Sequence, residues 1–326
     1  MNYAKHASRT SPENRPVSLE SGVVPRMDAD DDGSSTDQTA VMVAKSVRSQ
    51  TRPALMAMGG SSAGRVFRLD RPRATVGRSK SADVCLRDDG VSRLHCALES
   101  KDGASYVISD LQSTNGTLVN GGRVERTELR AGDRIQLGPD AVLQFGFYDD
   151  AEEGLANKLY EAATRDPLTQ AYNRRYLGER LAAEVSYALR QREKLVAVLF
   201  DIDHFKSIND SYGHAVGDEV LRSIAAFVAS TLRSEDVFAR YGGEEFVVVA
   251  RGLSLRNGGK LAERIRGQLE RRVLPFAGHR FRATVSAGVA ELGECKANPS
   301  GAELLELADA RLYRAKQDGR NRVVAK

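Results

Sequence analysis

Leu195-Val-Ala-Val-Leu-Phe-Asp-Ile-Asp-His-Phe-Lys206 runs an unbroken apolar segment straight into two carboxylates and a lysine. A short continuous apolar run of this kind reads as a strand buried on both faces, so Asp201 and Asp203 stand where that strand ends. Further on, Arg240-Tyr-Gly-Gly-Glu-Glu-Phe246 stands where a second apolar strand, Phe246-Val-Val-Val, begins. If the two strands are neighbours, their carboxylates converge. Hard divalent cations prefer carboxylate and carbonyl oxygens and bind through one or two carboxylates plus substrate phosphates. Adjacent glycines at a hairpin turn permit positive φ and let a ligand approach the backbone. Together these segments describe a site for a metal and a triphosphate. Taken singly, the first is more often a solvated turn than a metal site and the second more often a hairpin with a charged tip; their occurrence together reverses that.

Outward from this centre, strands and helices alternate. Val220, Leu221, Ile224, Phe227 and Val228 share one helix face, and Leu261, Ile265 and Leu269 mark another. Arg282-Ala-Thr-Val-Ser-Ala-Gly-Val is a further strand, and Leu304, Leu307, Ala308 and Leu312 belong to a last helix. The pattern predicts an α/β sheet domain over residues 166–326. Ahead of it, a helix is expected from Arg174 to Arg192, and Leu155, Leu159 and Ala162 mark a connecting helix within residues 149–165. Residues 53–148 differ in kind. Short alternating segments such as Val66-Phe-Arg-Leu, Tyr106-Val-Ile and Val142-Leu-Gln-Phe are separated by Gly, Asp, Ser and Asn clusters, which predicts an all-β sandwich. Residues 1–52 are polar with an acidic run at Asp28–Asp32 and are expected to be a disordered tail, interrupted by one apolar patch, Thr39-Ala-Val-Met-Val-Ala.

Composition narrows the function. A hydrophobic fraction of 41% and a charged fraction of 28% over 326 residues suit two buried cores. A net charge of +4, dispersed among carboxylates with no aromatic and basic stripe, argues against nucleic acid or a membrane surface as partner. Cys85, Cys96 and Cys295 have no CxxC spacing, so neither a disulfide framework nor a zinc site is expected. With no apolar leader and no run long enough to span a bilayer, a cytoplasmic location is expected.

The C-terminal half closely resembles the GGDEF domain. The resemblance rests on Asp166-Pro-Leu-Thr169 with Asn173-Arg-Arg175, Asp201 to Lys206, and Ile208-Asn209-Asp210 with Gly213-His214 and Gly217-Asp218. It continues through Arg240 to Phe246, Thr284-Val-Ser286 with Gly288, Ala308-Asp309 with Leu312 to Lys316, and Gly319-Arg320-Asn321. Departures are Gln170-Ala171, where Gly-Leu is usual, and His204, where an aromatic ring is common. The resemblance implies a palm-like α/β fold and a diguanylate cyclase that joins two GTP molecules into cyclic di-GMP with release of pyrophosphate. It implies Mg²⁺ or Mn²⁺ held by Asp201, the Ile202 carbonyl and Glu244, with Glu244 or Glu245 assisting deprotonation of the attacking hydroxyl. Lys206, Lys316 and Arg320 would neutralise the triphosphate, to which Phe205 and Lys206 lend backbone N–H groups near Gly242 and Gly243. Guanine would be read by Asn209 and Asp218. His214 is equally a guanine contact and a structural hydrogen-bonding residue. GTP is expected in preference to ATP, because an ATP-tolerant branch of the family has a small residue at the Asp218 position. Each domain holds one GTP, so a homodimer is implied. Arg233-Ser-Glu-Asp236 matches the family's RxxD inhibitory site for the product, with Arg264 as a second basic residue.

The sandwich segment resembles the forkhead-associated (FHA) domain through Gly77-Arg78, Ser92-Arg93-Leu-His95, Ser113 to Thr117 and Asn120-Gly121. That resemblance implies phosphothreonine binding: Arg78 and Ser92 on the phosphate with Arg93 and Thr114 supporting them, Asn115 on the ligand backbone, and His95 structural. The ligand would come from a Ser/Thr kinase substrate, with phosphorylated Thr39 in the chain's own tail one candidate. Two rival readings stand beside the regulated cyclase: a catalytically silent GGDEF sensor, and an adaptor in which the FHA domain recruits phosphoproteins.

Overall fold

The computed structural model describes residues 51–326 apart from residues 104, 234, 277–278 and 297–298. The expected tail and Thr39 lie outside these residues. From the N-terminal side the strands are β1 (Arg52–Ala57), β2 (Val66–Arg68), β3 (Arg73–Gly77), β4 (Val84–Cys85), β5 (Cys96–Ser100) and β6 (Tyr106–Asp110). They continue with β7 (Thr117–Val119), β8 (Gly122–Val124), β9 (Arg126–Leu129), β10 (Arg134–Gln136) and β11 (Val142–Tyr148). Two sheets form, in the orders β2-β1-β11-β10-β7-β8 and β4-β3-β5-β6-β9. Alternation along these strands turns Leu55, Val76, Leu98, Ile108, Ile135, Leu143 and Phe145 into one core between the sheets. The loops β3–β4, β4–β5 and β6–β7 carry Arg78, Ser92 with Arg93, and Thr114 with Asn115.

Helix α1 (Asp150–Thr164) starts at Asp149, whose side chain accepts from the Glu152 N–H while the Glu152 side chain accepts from the Asp149 N–H, a complete capping box. Its apolar residues do not face inward as an amphipathic connecting helix would suggest: Leu155 and Leu159 are each 61% exposed. Polar groups fasten the helix instead. Asn157 pairs with both backbone groups of Val66, at 3.0 and 3.3 Å, continuing the β2 edge, and Arg68 forms ion pairs with Asp150 and Glu153.

The second layer system contains α2 (Arg174–Gln191), β12 (Leu195–Ile202), α3 (Phe205–Tyr212), α4 (His214–Thr231), β13 (Val237–Gly242), β14 (Glu245–Arg251) and α5 (Leu255–Arg271). Beyond these come a hairpin of β15 (Leu274–Phe276) and β16 (His279–Phe281), then β17 (Val285–Glu291), α6 (Gly301–Gln317) and β18 (Val323–Val324). The sheet order is β13-β14-β12-β17-β18, so β12 is central and buried along its whole length, as its unbroken apolar run requires. Helices cover both faces, giving one core around Phe200, Ile224 and Phe246 and a second around Leu177, Leu199 and Leu312. Strand β17 starts at Val285, three residues later than the apolar pattern from Arg282 suggests. Just before it the Thr284 carbonyl still accepts from the Asp203 N–H at 2.9 Å, in register with the β12–β17 ladder, and the Thr284 hydroxyl donates to the Asp203 carboxylate at 2.8 Å.

Gly288 sets the distance between sheet and helix. A Cβ there would meet the Ala308 carbonyl at 2.0 Å and the Leu312 nitrogen at 2.3 Å, so only glycine lets α6 lie directly on β17. That contact aims the C-terminal turn of α6 at the end of β12. Among the described residues, no helix is long and apolar enough to cross a membrane.

Candidate functional site

Strands β12 and β14 are neighbours, and their register places Asp201 opposite Glu245, with Ser286 of β17 on its other side. The turn joining β13 to β14 contains Gly243 at φ +45° and returns the chain so that the Ile202 N–H approaches the Glu244 carbonyl at 3.4 Å. Asp201, Ile202, Glu244 and Glu245 therefore meet at one sheet end. Lys316, delivered by α6, pairs with Asp201 at 2.9 Å. The Asp201 carboxyl is pushed up to about 6, first by burial, while Lys316 opposes the shift and the charges of Glu244 and Glu245 reinforce it. Lys316 is, among the described residues, the cation that forms an ion pair with this cluster of three carboxylates. Among the described residues no three acidic, histidine or cysteine side chains form a ready cage. Two carboxylates plus a backbone carbonyl suit Mg²⁺ or Mn²⁺, which also draws ligands from substrate phosphates.

Next to the cluster, α3 begins at His204 in the left-handed conformation, φ +58°, and no side chain caps it. A non-glycine residue there is uncommon, but histidine is among those that tolerate it. The first N–H groups of α3, including those of Phe205 and Lys206, have no partner within the helix. Asn209 on α3 faces α4 closely: a Cβ on Gly217 would come within 1.9 Å of its Oδ1. Asp218 follows Gly217 on the same helix and is half-buried. His214 is the exposed first residue of α4, and Lys206 is exposed on α3.

The adjoining carboxylate, Asp203, has a different use. It is buried and accepts from the Ser286 hydroxyl at 2.6 Å, the Thr284 hydroxyl at 2.8 Å and the Asn321 N–H at 3.0 Å. Arg320 and Asn321 both hold positive φ, at +63° and +45°, and Asn321 is further fixed by Glu270 and Arg266. Asp203 is therefore a clamp that keeps the Arg320 turn beside the site. A second clamp is Arg240, which donates to the Gly243 carbonyl at 2.9 Å and to both Asp166 oxygens at 3.1 Å. Burial raises the Asp166 carboxyl, but Thr169 and Arg240 outweigh it and hold the group below the usual range. These positioning roles were not read from the sequence. The available signal was the two-residue spacing of Asp201 and Asp203, which places both on one face of the sheet.

Arg233 and Asp236 lie apart from this cluster, in the turn before β13. The Arg233 N–H donates to Asp236 Oδ2 at 2.9 Å, and burial raises the Asp236 carboxyl. Both line a cavity of about 490 Å³ with Arg222. Arg264 sits on α5 and donates to the Thr231 carbonyl at 3.2 Å; it is not in that cavity's wall.

On the sandwich, Arg78, Ser92, Arg93, Thr114 and Asn115 line one cavity of about 780 Å³. The Ser92 Oγ accepts from the Thr114 N–H at 3.0 Å and donates to its hydroxyl at 3.3 Å, while Asn115 donates to the Gly90 carbonyl at 2.8 Å. His95 is fully buried. Its Nδ1 accepts from the Ser92 N–H at 3.1 Å and its Nε2 lies 3.2 Å from the Gly116 carbonyl, so the neutral Nε2–H tautomer ties the two loops together. Burial lowers its pKa. Since the unfolded chain takes up this proton first, stability is complete above pH about 6.5 and falls as pH drops through that value. His95→Ala is expected to abolish that pH-dependent component and to weaken any ligand held by Ser92, both measurable by thermal melts across pH 5–8 and by peptide titration.

This geometry agrees with comparisons to known proteins. Residues 163–322 match the family model described as diguanylate cyclase, GGDEF domain, and residues 74–138 match the FHA domain model. The chain belongs to the GGDEF family, with an FHA domain preceding its GGDEF domain. It is 43% identical over 163 residues to the diguanylate cyclase DgcP of Pseudomonas aeruginosa, covering 50% of this chain and 24% of that protein. To the response regulator PleD of Caulobacter vibrioides it is 42% identical over 181 residues, covering 55% and 39%. Among solved structures, the coiled coil and GGDEF domain of DgcB from Caulobacter crescentus, in complex with c-di-GMP, is 33% identical with a TM-score of 0.50, covering 53% of this chain and 91% of that one. The chain thus spans well under half the length of these curated relatives.

Proposed function

We propose that the chain is a diguanylate cyclase that converts two GTP into cyclic di-GMP and two pyrophosphates, under control of phosphothreonine binding to its FHA domain. The observation that carries this reading is the Asp201–Glu244–Glu245 carboxylate cluster beside the N-terminus of α3. A bound divalent cation, held by Asp201, the Ile202 carbonyl and Glu244, supplies charge stabilisation at the phosphates. The N–H groups of Phe205 and Lys206 would seat the triphosphate, with Lys206, Lys316 and Arg320 balancing its charge. Lys316 then has to exchange its partner Asp201 for phosphate. Asn209 and Asp218 would orient guanine, with His214 exposed at the start of α4.

In each half-reaction the 3′-oxygen of one GTP forms a bond to the α-phosphorus of the other. The bond from that phosphorus to the β-phosphate bridging oxygen breaks, and pyrophosphate leaves. Glu244 or Glu245 accepts the hydroxyl proton. Because each domain supplies one nucleotide site, two chains must face each other. Exposed Leu155 and Leu159 on α1 support a homodimer, since an apolar stripe on a helix is normally covered. Purified chain with GTP and Mg²⁺ should release pyrophosphate, and with ATP should release little. GTP binding without release would favour the silent sensor instead.

The paired Arg233 and Asp236 support product inhibition, with Arg264 as the outlying third residue. Arg233→Ala is expected to leave the initial rate nearly unchanged and to raise the product level at late times; an unaltered inhibition constant would remove this reading. For the FHA domain, the Ser92–Thr114–Asn115 loop pair with Arg78 and Arg93 supports a phosphothreonine ligand made by a Ser/Thr kinase. Phosphorylated Thr39 is proposed as an internal ligand, tethered at high effective concentration. Titrating a Thr39-phosphorylated peptide against the chain and its Arg78→Ala variant tests that assignment.

A further inference from the structure

A cavity of about 460 Å³ lies where the FHA loops meet the GGDEF domain, and its wall is dominated by cations. Arg78, Lys80, Arg87 and Arg93 come from the sandwich, Arg180 and Arg251 from the other side. The last two are already engaged. Arg251 Nη1 lies 2.6 Å from Asp89 Oδ1, its Nε meets Glu184, and Arg180 Nη2 lies 2.7 Å from Glu184 Oε1. Some of these approaches lack hydrogen-bond alignment, so they hold as charge pairs. The sandwich cations are less satisfied. Arg87 reaches only the Tyr172 hydroxyl, at 3.4 Å, and Arg78, Lys80 and Arg93 form no ion pair among the described residues. Counting Glu193 and Glu235 in the wall together with Asp89 and Glu184, the partners of Arg251 and Arg180, six cations face four carboxylates and leave two positive charges in excess; Lys80 and Arg87 also line the adjoining Arg233–Asp236 cavity, where Lys80 acts on the Asp236 carboxyl. Clefts lined by one sign of charge raise the local concentration of the opposite ion.

The position of this cavity limits what enters it. Arg78, Ser79 and Arg93 line it and also line the neighbouring cavity with Ser92, Thr114 and Asn115, so the two are continuous. The aromatic ring in its wall, Tyr187, is already faced by the Arg251 guanidinium at 4.1 Å, which disfavours a stacked base. We infer that this cavity is a second anion subsite for the phosphothreonine ligand, taking an acidic side chain or second phosphate of the same peptide on Lys80 and Arg87. The inference rests on the phosphothreonine reading above. An extended peptide advances about 3.3 Å per residue, so an acid two or three positions from the phosphothreonine reaches from one cavity into the next. Such a ligand would touch both domains at once, because the Asp89 that pairs with Arg251 belongs to the same loop as Ser92.

The test uses the full chain and fluorescence anisotropy with alanine-based peptides around a central phosphothreonine. One has neutral flanks; the others carry an aspartate pair two and three positions before or after it. One acidic peptide is expected to bind about tenfold more tightly than the neutral one at low salt. The Lys80→Gln, Arg87→Gln double variant should lose that advantage while binding the neutral phosphopeptide as the parent does, with an unchanged melting temperature showing that it folds. Equal affinity of neutral and acidic peptides in the parent overturns the subsite and leaves the phosphothreonine site standing. Failure of every phosphopeptide to bind overturns both. Loss of the acidic advantage on saturating an Arg233→Ala chain with cyclic di-GMP assigns the cavity to the dinucleotide and overturns the inference.

Discussion

Glu244→Gln is expected to leave the chain folded and to cut product formation by about a hundredfold or more. Glu244 stands in the β13–β14 turn beside Ile202 and is half-buried, so the isosteric amide keeps the packing. What disappears is a negative charge at the cation site and one of the two groups able to take the hydroxyl proton. The loss should fall on turnover more than on GTP affinity, because the charge matters most as the phosphoryl bond rearranges. Steady-state pyrophosphate release from parent and variant, with circular dichroism to confirm folding, measures it. Turnover equal to the parent would remove Glu244 from the site.

Asp201→Asn should separate stability from activity, raising the first while abolishing the second. The Asp201 carboxyl is raised to about 6, so the folded state disfavours its charge relative to the unfolded chain. Below pH about 4 it is protonated in both states and costs nothing; as pH rises from about 4 to about 6 the penalty grows, reaching on the order of 3 kcal/mol. Asparagine removes that penalty and gives up only a pair with a partly exposed lysine. The melting temperature should therefore rise by several degrees at pH 7.5, and the gain should vanish near pH 4. A variant less stable than the parent at both pH values would mean that Asp201 serves mainly as the partner of Lys316.

Much of the fold was legible in the sequence because its strongest signals are periodic. The unbroken run Leu195–Phe200 is the central strand, and the helix faces of Val220 to Val228 and Leu304 to Leu312 pack where their spacing places them. The alternating segments of the N-terminal half form the two sheets. Signals of a single residue were weaker. Nothing in the pattern tells that the Thr284 hydroxyl is spent on Asp203, since that bond joins residues far apart along the chain. Leu155 and Leu159 have helical spacing, yet periodicity does not reveal that Asn157 and Arg68 rather than the leucines fasten that helix.

The candidate site was legible to a similar depth. Asp201, Ile202, Glu244, Glu245 and Lys316 are brought together, because strand ends and a glycine turn fix the backbone whatever the side chains do. The clamps formed by Asp203 and by Arg240 with Asp166 were not legible, because each depends on hydrogen bonds between segments distant in sequence. The cation-lined cavity between the FHA loops and the GGDEF domain was equally hidden, since no sequence pattern specifies how Asp89 and Arg251 meet.

Conversion of two GTP into one cyclic dinucleotide at this site is open to direct measurement. The most direct measurement incubates the purified chain with GTP and Mg²⁺, identifies the nucleotide product by mass, and counts pyrophosphate against it. The expected product has the mass of cyclic di-GMP, with two pyrophosphates per product, and falls about a hundredfold or more when Glu244→Gln replaces the parent. GTP that is bound but returned unchanged, or a product with a different mass or stoichiometry, would contradict that conversion.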